Sequence, residues 1–331
     1  MPARSRTVRR TTVSVGVLAC AGLVAFVRPS SPATAMSRAS ARSATTAALR
    51  AARVTPAAPA AHGAGAPFPG LDSLRGASRK LRARFLSPGR AAGLTVLREL
   101  FGDSAVSRAG VYAAGDSSGA FHFITMRPFA DKVKGRIGSY RIGFFPAEQH
   151  AARSKAYGNP EGFLEVTSSN ADTPISDHFR LRDFLTKDQV NVWPKYLVLR
   201  EPLVDKLELV LNELRTMGVE AGRLQVMSGF RTPQYNQQGV GAGGRVQDSR
   251  HQYGDAADVY VVNGARDWMS DLNRDGLVNT RDAQILADAA ARVEGKHPDL
   301  VGGIGVYKAT SAHGPFVHID VRGTRARWGA F

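Results

Sequence analysis

Apolar positions change rhythm several times along the chain, and each change marks a different kind of segment. From Val13 to Val27 they run almost unbroken. Over residues 36–66, mostly Ala, Arg, Ser, Thr and Pro, they carry no period, as expected of a flexible tether with no face to bury. Leu74, Leu81, Phe85, Leu94, Leu97 and Leu100 then recur at loosely helical spacing, with Pro88-Gly89 as a break. Between residues 110 and 167 the pattern turns to short β-branched and aromatic runs. Val111-Tyr112, Phe121 to Ile124, Ile137 to Phe145 and Phe163 to Val166 are separated by Gly, Pro, Asn and Ser and predict strands. Ser176 or Asp177 is placed to cap a helix that turns Phe179, Leu181 and Phe184 inward. The clearest helix spans 202–217: Leu203, Leu207, Val210, Leu211 and Leu214 form one face, Pro202 lies in the first turn and Gly218 follows the end. Leu224 to Met227, Val259 to Val262 and Phe316 to Ile319 read as strands, the last two buried ones.

Charge changes the picture of the N-terminal part. Of the net charge of +16, nine units are arginines within residues 1–66, a stretch with no lysine and no acidic residue, which leaves +7 for the rest. Arg4, Arg6, Arg9 and Arg10 ahead of the apolar run, and Ala33-Thr34-Ala35 after it, form the pattern of a secretory signal over 1–35, cleaved after Ala35. The run of about 15 residues is short of the ~20 that span a bilayer, so membrane association is expected only if this segment stays uncleaved. Localisation is therefore expected to be exported, in the periplasm or cell envelope. Export and tether account for most of the basicity, and nucleic acid loses its support as a partner. The residual +7 suits an anionic cell-wall polymer. The single cysteine, Cys20, lies in the apolar run, so the mature chain has no disulfide and its metal ligands must be N and O donors.

The candidate chemistry sits in two stretches. Ser249-Arg250-His251-Gln252-Tyr253-Gly254-Asp255-Ala256-Ala257-Asp258 holds an imidazole and a carboxylate seven residues apart, and His318 adds a second imidazole sixty residues after Asp258. Three protein ligands with an open fourth position are what a catalytic zinc uses to activate water. His122 and His150 have no partner at ligand spacing, and His178 reads as a surface or capping residue. A second metal signal runs from Asp271 to Asp282. Asp271, Asn273, Asp275, Asn279 and Asp282 occupy positions 1, 3, 5, 9 and 12 of an EF-hand-type calcium loop, Gly276 takes position 6, and Leu277 offers its carbonyl. The loop and the helix after it look like one loop of a dockerin module; as a single copy it is read as a structural calcium site.

Ser228-Gly229-Phe230-Arg231-Thr232-Pro233-Gln234-Tyr235-Asn236, then Ser249 to Asp258, then Phe316 to Arg322, stand in the order and approximate spacing of the zinc D-alanyl-D-alanine peptidases. Over about residues 175–328 the chain resembles that family, whose fold is shared with hedgehog signalling domains and vancomycin-resistance D,D-dipeptidases. The resemblance implies a hedgehog/DD-peptidase-like catalytic domain over 171–331; with the calcium-loop insertion 271–282 and the small β-rich N-terminal module over 67–170 read from the residue pattern, the expected fold class is α+β. It also implies zinc on His251, Asp258 and His318, and peptidoglycan stem peptides as partners. Arg231 is assigned to a substrate carboxylate, which a guanidinium matches in bidentate fashion. Ser249 is assigned to substrate or to bracing its loop.

The chain departs from the family at the general base. The dipeptidases carry a glutamate three residues before the last histidine ligand and other branches a histidine two before; here those positions are Pro315 and Phe316. The candidates that remain are His313, as acid/base or oxyanion partner, and Asp320, which shares a strand face with His318 and can orient that imidazole or face the zinc water. Asp255 is a further possibility. The expected function is a secreted zinc metallopeptidase, a D,D-carboxypeptidase or murein endopeptidase, cleaving D-amino-acid peptide bonds through a metal-activated water. The alternative is a non-catalytic zinc module that binds cell wall or a partner.

Overall fold

A computed structural model describes residues 71–87, 89–90, 95–116, 119–241 and 244–330. The signal segment and tether expected over 1–35 and 36–66 lie outside the described residues. The described residues form one compact unit of mixed α and β structure.

The region read as loosely helical contains a strand. Ala83–Leu86 (β1) pairs in parallel with Gly119–Thr125 (β3), which pairs antiparallel with Gly110–Asp116 (β2). Leu81 and Phe85 are four apart, which suits a helix face but equally suits alternate positions of an extended chain. Ala83 between them is buried too, so the period is two. Short helices follow at Thr95–Phe101 and Asp103–Ser107. Leu97 and Val106 from these helices close a small core against Leu86, Phe121 and Phe123.

Arg127–Pro128 (β4) precedes a small hairpin, Arg136–Ile137 (β5) with Tyr140–Arg141 (β6). Gly162–Val166 (β7) pairs with β4 and with Lys195–Leu197 (β8). Most of Ile137 to Phe145 is therefore not strand, although Ile137, Tyr140, Ile142 and Phe145 are all buried. Leu164 and Val166 belong to the same core cluster as Leu203 and Val259, so residues on both sides of position 170 share one interior.

The helix expected after Ser176 does not form. Ser176 bridges Leu81, Arg180 bridges Pro174, and only Leu181–Phe184 turns, as a 3-10 segment. Phe179, Leu181 and Phe184 are buried as the pattern required, which shows that burial, and not period, was the legible signal there.

The remainder is a five-stranded sheet with two helices on one face. Helix α1, Glu201–Thr216, buries all five expected apolar positions, has Pro202 in its first turn and ends before Gly218, whose φ of 76° is the left-handed geometry of a helix terminus. Helix α2 spans Thr280–Lys296. The strands are Arg223–Ser228 (β9), Ala256–Val262 (β10), Gly303–Tyr307 (β11), Phe316–Asp320 (β12) and Ala326–Gly329 (β13), in the order β13-β11-β12-β10-β9. All neighbours are antiparallel except β11 and β13.

Side chains on a strand alternate between faces. One set, Val226, Ala257, Val259, Val261, Ile304, Val306, Val317 and Ile319, lies buried in the core with the apolar positions of both helices. The other set includes Asp258, Tyr260, Gly305, Tyr307, Phe316, His318, Asp320 and Trp328, and Ser228 joins it because the β9–β10 register shifts by a residue between Asp258 and Val259. That second face carries the candidate site. No helix among the described residues is long and apolar enough to cross a membrane.

Candidate metal centre

Strand register places the centre. Asp258 on β10 lies directly opposite His318 on β12, with Ser228 across from Asp258 on the other side. Gly305 lies opposite His318, and Trp328 opposite Gly305. One row across the sheet therefore reads Trp328, Gly305, His318, Asp258, Ser228.

His251 reaches the row from a 3-10 turn, Arg250–Tyr253, that ends at Gly254 in left-handed conformation (φ 67°). A Cβ at Gly254 would stand 2.3 Å from the carbonyl oxygen of Val198, so only glycine lets this turn lie against the chain entering α1. Two backbone bonds fix the approach: Arg200 N–H donates to the Gly254 carbonyl at 2.8 Å and Arg231 N–H to the His251 carbonyl at 3.2 Å.

His251 Nε2, His318 Nδ1 and Asp258 Oδ1 form a triangle with edges of 3.2, 3.2 and 3.0 Å. All three residues are buried, and among the described residues theirs is the one group of three His, Cys, Asp or Glu side chains that converges in this way. A tetrahedral ion with bonds of about 2.0–2.1 Å needs donor atoms ~3.3 Å apart, so the triangle is close to the size of a zinc site.

The hydrogen-bond partners on the outer side of each ring agree with that fit. His251 Nδ1 lies 2.7 Å from the Gly229 carbonyl, which can only accept, so Nδ1 carries the proton and Nε2 turns a lone pair inward. His318 is set the other way round. Its Nε2 lies 3.1 Å from Asp320 Oδ2, which fixes the proton on Nε2 and leaves Nδ1 facing the centre.

A second ring of charge holds these three side chains. Arg231 Nη2 donates to Asp258 Oδ2 at 2.5 Å and its Nε to Ser228 Oγ at 2.9 Å. Burial alone would push the Asp258 carboxyl up, but the two imidazoles and Arg231 hold it well below the usual carboxylate range. Asp320 accepts from the Gly303 backbone N–H at 2.8 Å, from Arg322 Nε at 2.9 Å and from Arg322 Nη2, besides orienting His318. Its carboxyl, too, is held low against burial by His318 and Arg322. Burial depresses the His251 pKa, whereas the carboxylates of Asp258 and Asp320 on either side outweigh burial at His318 and raise its pKa, so a metal ion would compete with a proton for Nδ1.

Behind Asp320 lies Lys206 of α1, fully buried, donating to the Asp320 carbonyl at 2.8 Å and to Glu294 Oε1 of α2 at 2.7 Å. Asp255, one residue before β10 and three before Asp258, is taken by Arg250 Nε at 3.0 Å and Arg250 Nη2. It is a structural partner of the turn, not a group facing the triangle.

The other expected residues fall as follows. Ser249 is buried at the head of the 3-10 turn. His313 sits outside the triangle: its Nδ1 donates to the Gly314 carbonyl at 2.8 Å and its ring meets the edge of Phe316, centroids 5.0 Å apart. It lines a hollow of about 140 Å³ with Met227, Tyr260, Trp268 and Met269. His178 pairs with Glu208 at 2.7 Å, away from the centre.

In the loop 271–282, Asp271 accepts backbone N–H groups of Asp275 and Gly276, and Asp275 accepts that of Leu277. Asp282 is buried and bonds the backbone N–H groups of Leu272 and Asn279, each at about 2.8 Å or shorter. Asn279 caps α2 through Arg281 N–H, and Asn273 Nδ2 meets Asp275 Oδ2 at 3.0 Å. Asp271, Asp275 and Asp282 do not form a second converging group.

Sequence reasoning missed Lys206, Tyr307, Arg322 and Trp328. The alternation Gly303-Ile304-Gly305-Val306-Tyr307 carried a signal for Tyr307, since two glycines and a tyrosine on one face leave that face open next to a large ring. Comparison with known families, curated proteins and solved structures returned no match.

Proposed function

We propose that the chain is an exported zinc peptidase that hydrolyses D-amino-acid peptide bonds of peptidoglycan, as a D,D-carboxypeptidase or murein endopeptidase. The observation that carries the metal part of this reading is the pair of opposed imidazole tautomers, each held by a buried acceptor so that both lone pairs and the Asp258 carboxylate face one point. Zinc held there by His251, Asp258 and His318 would supply Lewis-acid polarisation of a carbonyl and a water acidic enough to attack it near neutral pH.

The chain's own residues support the chemistry around that point. Asp320 is a positioning residue, because its oxygens are spent on Gly303, Arg322 and His318. His313 remains the candidate for proton transfer. Its Nδ1 is occupied by a carbonyl, so Nε2 is the nitrogen that would exchange a proton with substrate. Arg231 has Nε and Nη2 committed to Ser228 and Asp258, which leaves Nη1 to meet a substrate carboxylate. The choice of peptidoglycan rests on the resemblance in the three motifs and on the +7 charge left outside the first 66 residues. A calcium ion on the 271–282 loop is part of the proposal as a structural element.

Muropeptide digestion tests the reading. Purified protein is expected to bind one zinc per chain and to release D-alanine or cleave cross-links, with chelation abolishing both; His251→Ala and His318→Ala are expected to lose the metal. Full zinc in both variants would remove the ligand assignment. Zinc and muropeptide binding without cleavage would instead favour a non-catalytic wall-binding module.

A further inference from the structure

Gly303 and Gly305 leave the ligand-bearing face of β11 open, and Trp328 of β13 fills the gap. A Cβ at Gly305 would stand 2.3 Å from the Trp328 Nε1. The indole packs on His318, ring centroids 5.1 Å apart, and its Nε1 donates to the Tyr307 hydroxyl at 2.8 Å. The Tyr307 ring lies flat on Phe316, centroids 4.5 Å apart with an interplanar angle of 5°. Phe316 shares its strand face with His318, two residues on.

The phenol is thus clamped on two sides beside the metal triangle. Its oxygen accepts from the indole, and among the described residues nothing takes its own proton. The residue is 38% exposed, on the open side of the sheet. It is close enough to the centre for the charges of Asp258 and Arg231 to act on its ionisation. Burial, the largest influence, and the Asp258 carboxylate leave its pKa above the ordinary phenol value, so it is a donor at neutral pH.

We propose that the Tyr307 hydroxyl is the hydrogen-bond donor that stabilises the oxyanion developing on the scissile carbonyl. This deepens the peptidase reading and rests on it. In the step, the water oxygen bonds to the carbonyl carbon and the π electrons of the C=O bond move onto its oxygen. The C–N bond then breaks, the carbonyl re-forms, and the amine nitrogen leaves with a proton that came from the water. Tyr307 keeps its own proton throughout. A preorganised donor of this kind acts where charge develops and therefore affects turnover more than ground-state binding.

Tyr307→Phe removes the hydroxyl and keeps the ring on Phe316. The expected result is a fall in kcat of about 10²- to 10³-fold, the usual cost of one oxyanion donor, with little change in KM. A second readout uses a phosphinate analogue of D-alanyl-D-alanine, which presents a tetrahedral anion, alongside the plain dipeptide. Calorimetry is expected to show phosphinate affinity reduced by a similar factor, dipeptide affinity unchanged, and zinc content by metal analysis unchanged. Parental kcat and parental phosphinate affinity in Tyr307→Phe would overturn the proposal. So would a loss of zinc in that variant, which would make Tyr307 a packing residue. Failure of the peptidase reading shows separately: the unsubstituted protein would then neither cleave muropeptides nor prefer the phosphinate over the dipeptide.

Discussion

Tyr253 lies two residues after His251 in the turn that carries it, and its hydroxyl is buried with no hydrogen-bond partner among the described residues. Leaving such a group unsatisfied costs about 1–3 kcal/mol. Tyr253→Phe is therefore expected to leave the melting temperature unchanged or raise it, where the same change at a bonded tyrosine would lower it. Burial, with help from Asp248, pushes this phenol up to about 12. In the unfolded chain it titrates near ~10. Because the folded value is the higher one, the stability linked to the proton is fully present below pH ~10 and is lost as pH rises through the folded value. Denaturant melts between pH 9 and 12 are expected to show that decline, and Tyr253→Phe to flatten part of it. Tyr196, also pushed up to about 12 chiefly by burial, supplies a share that remains. An identical slope in parent and variant would remove Tyr253 from the account. Two further side chains separate proton transfer from ligand positioning. His313→Ala is expected to lower turnover by roughly 10²- to 10⁴-fold at constant zinc content. Asp320→Asn is expected to weaken zinc by about 10- to 100-fold, because it loosens the imidazole of His318. Near-parental turnover in the first, with complete loss in a zinc-loaded second, would exchange the two roles.

At the scale of elements, the 271–282 loop and helix α2 behave as one unit through Asp282. Its carboxylate takes the backbone N–H groups of Leu272 at the loop entrance and Asn279 at the helix N-cap, and it is fully buried. Asp282→Ala would strand those donors and is expected to cost about 1–3 kcal/mol in chelator, with no calcium present. Calcium is expected to raise the melting temperature further, since a ligand that binds only the folded state stabilises it. Asp271→Ala combined with Asp275→Ala is expected to abolish that response and leave zinc bound; a parental response in the double variant would make the loop an ordinary turn. The elements also show where sequence pattern was informative. Helix 201–216 was legible because five leucines and valines at 3.6-residue spacing have one reading. Strand 83–86 was not, because Leu81 and Phe85 fit both periods and only pairing with His122 to Thr125 decides. The three residues of the triangle, which could hold a metal ion, were legible as residue types at spacing, whereas Tyr307 and Trp328 beside them were not. Their relation to His318 depends on β11 and β13 lying beside β12, and strand order across a sheet is a property of no local stretch.

At the largest scale, the layer of helices is tied by charge as well as by apolar packing to the sheet that carries the candidate metal centre. Lys206 of α1, Glu294 of α2, Arg327 of β13 and the Asp320 carbonyl of β12 form one buried cluster, with Arg327 Nη2 2.5 Å from Glu294 Oε2. Burial depresses the Lys206 pKa, and Glu294 is the partner that opposes this. Glu294→Ala is expected to cost about 3–5 kcal/mol by leaving a buried ammonium unpaired, and Lys206→Met combined with Glu294→Leu much less. Equal losses in the two, measured by denaturant unfolding, would show that packing volume and not charge governs the joint. The triangle itself has a further consequence. Its third corner lies sixty residues downstream of Asp258, beyond the whole of α2, and arrives only when β12 slots between β10 and β11. A chain synthesised or refolded as far as the hairpin of β9 and β10 owns two of the three donors and so grips an ion weakly. If the triangle takes up an ion as proposed, metal capture would be a timestamp on the closing of the sheet. In a stopped-flow refolding experiment, a zinc-sensitive dye should report uptake after the far-ultraviolet circular dichroism of sheet formation is complete, and the ion would then act as a latch on a finished fold rather than as a seed for it.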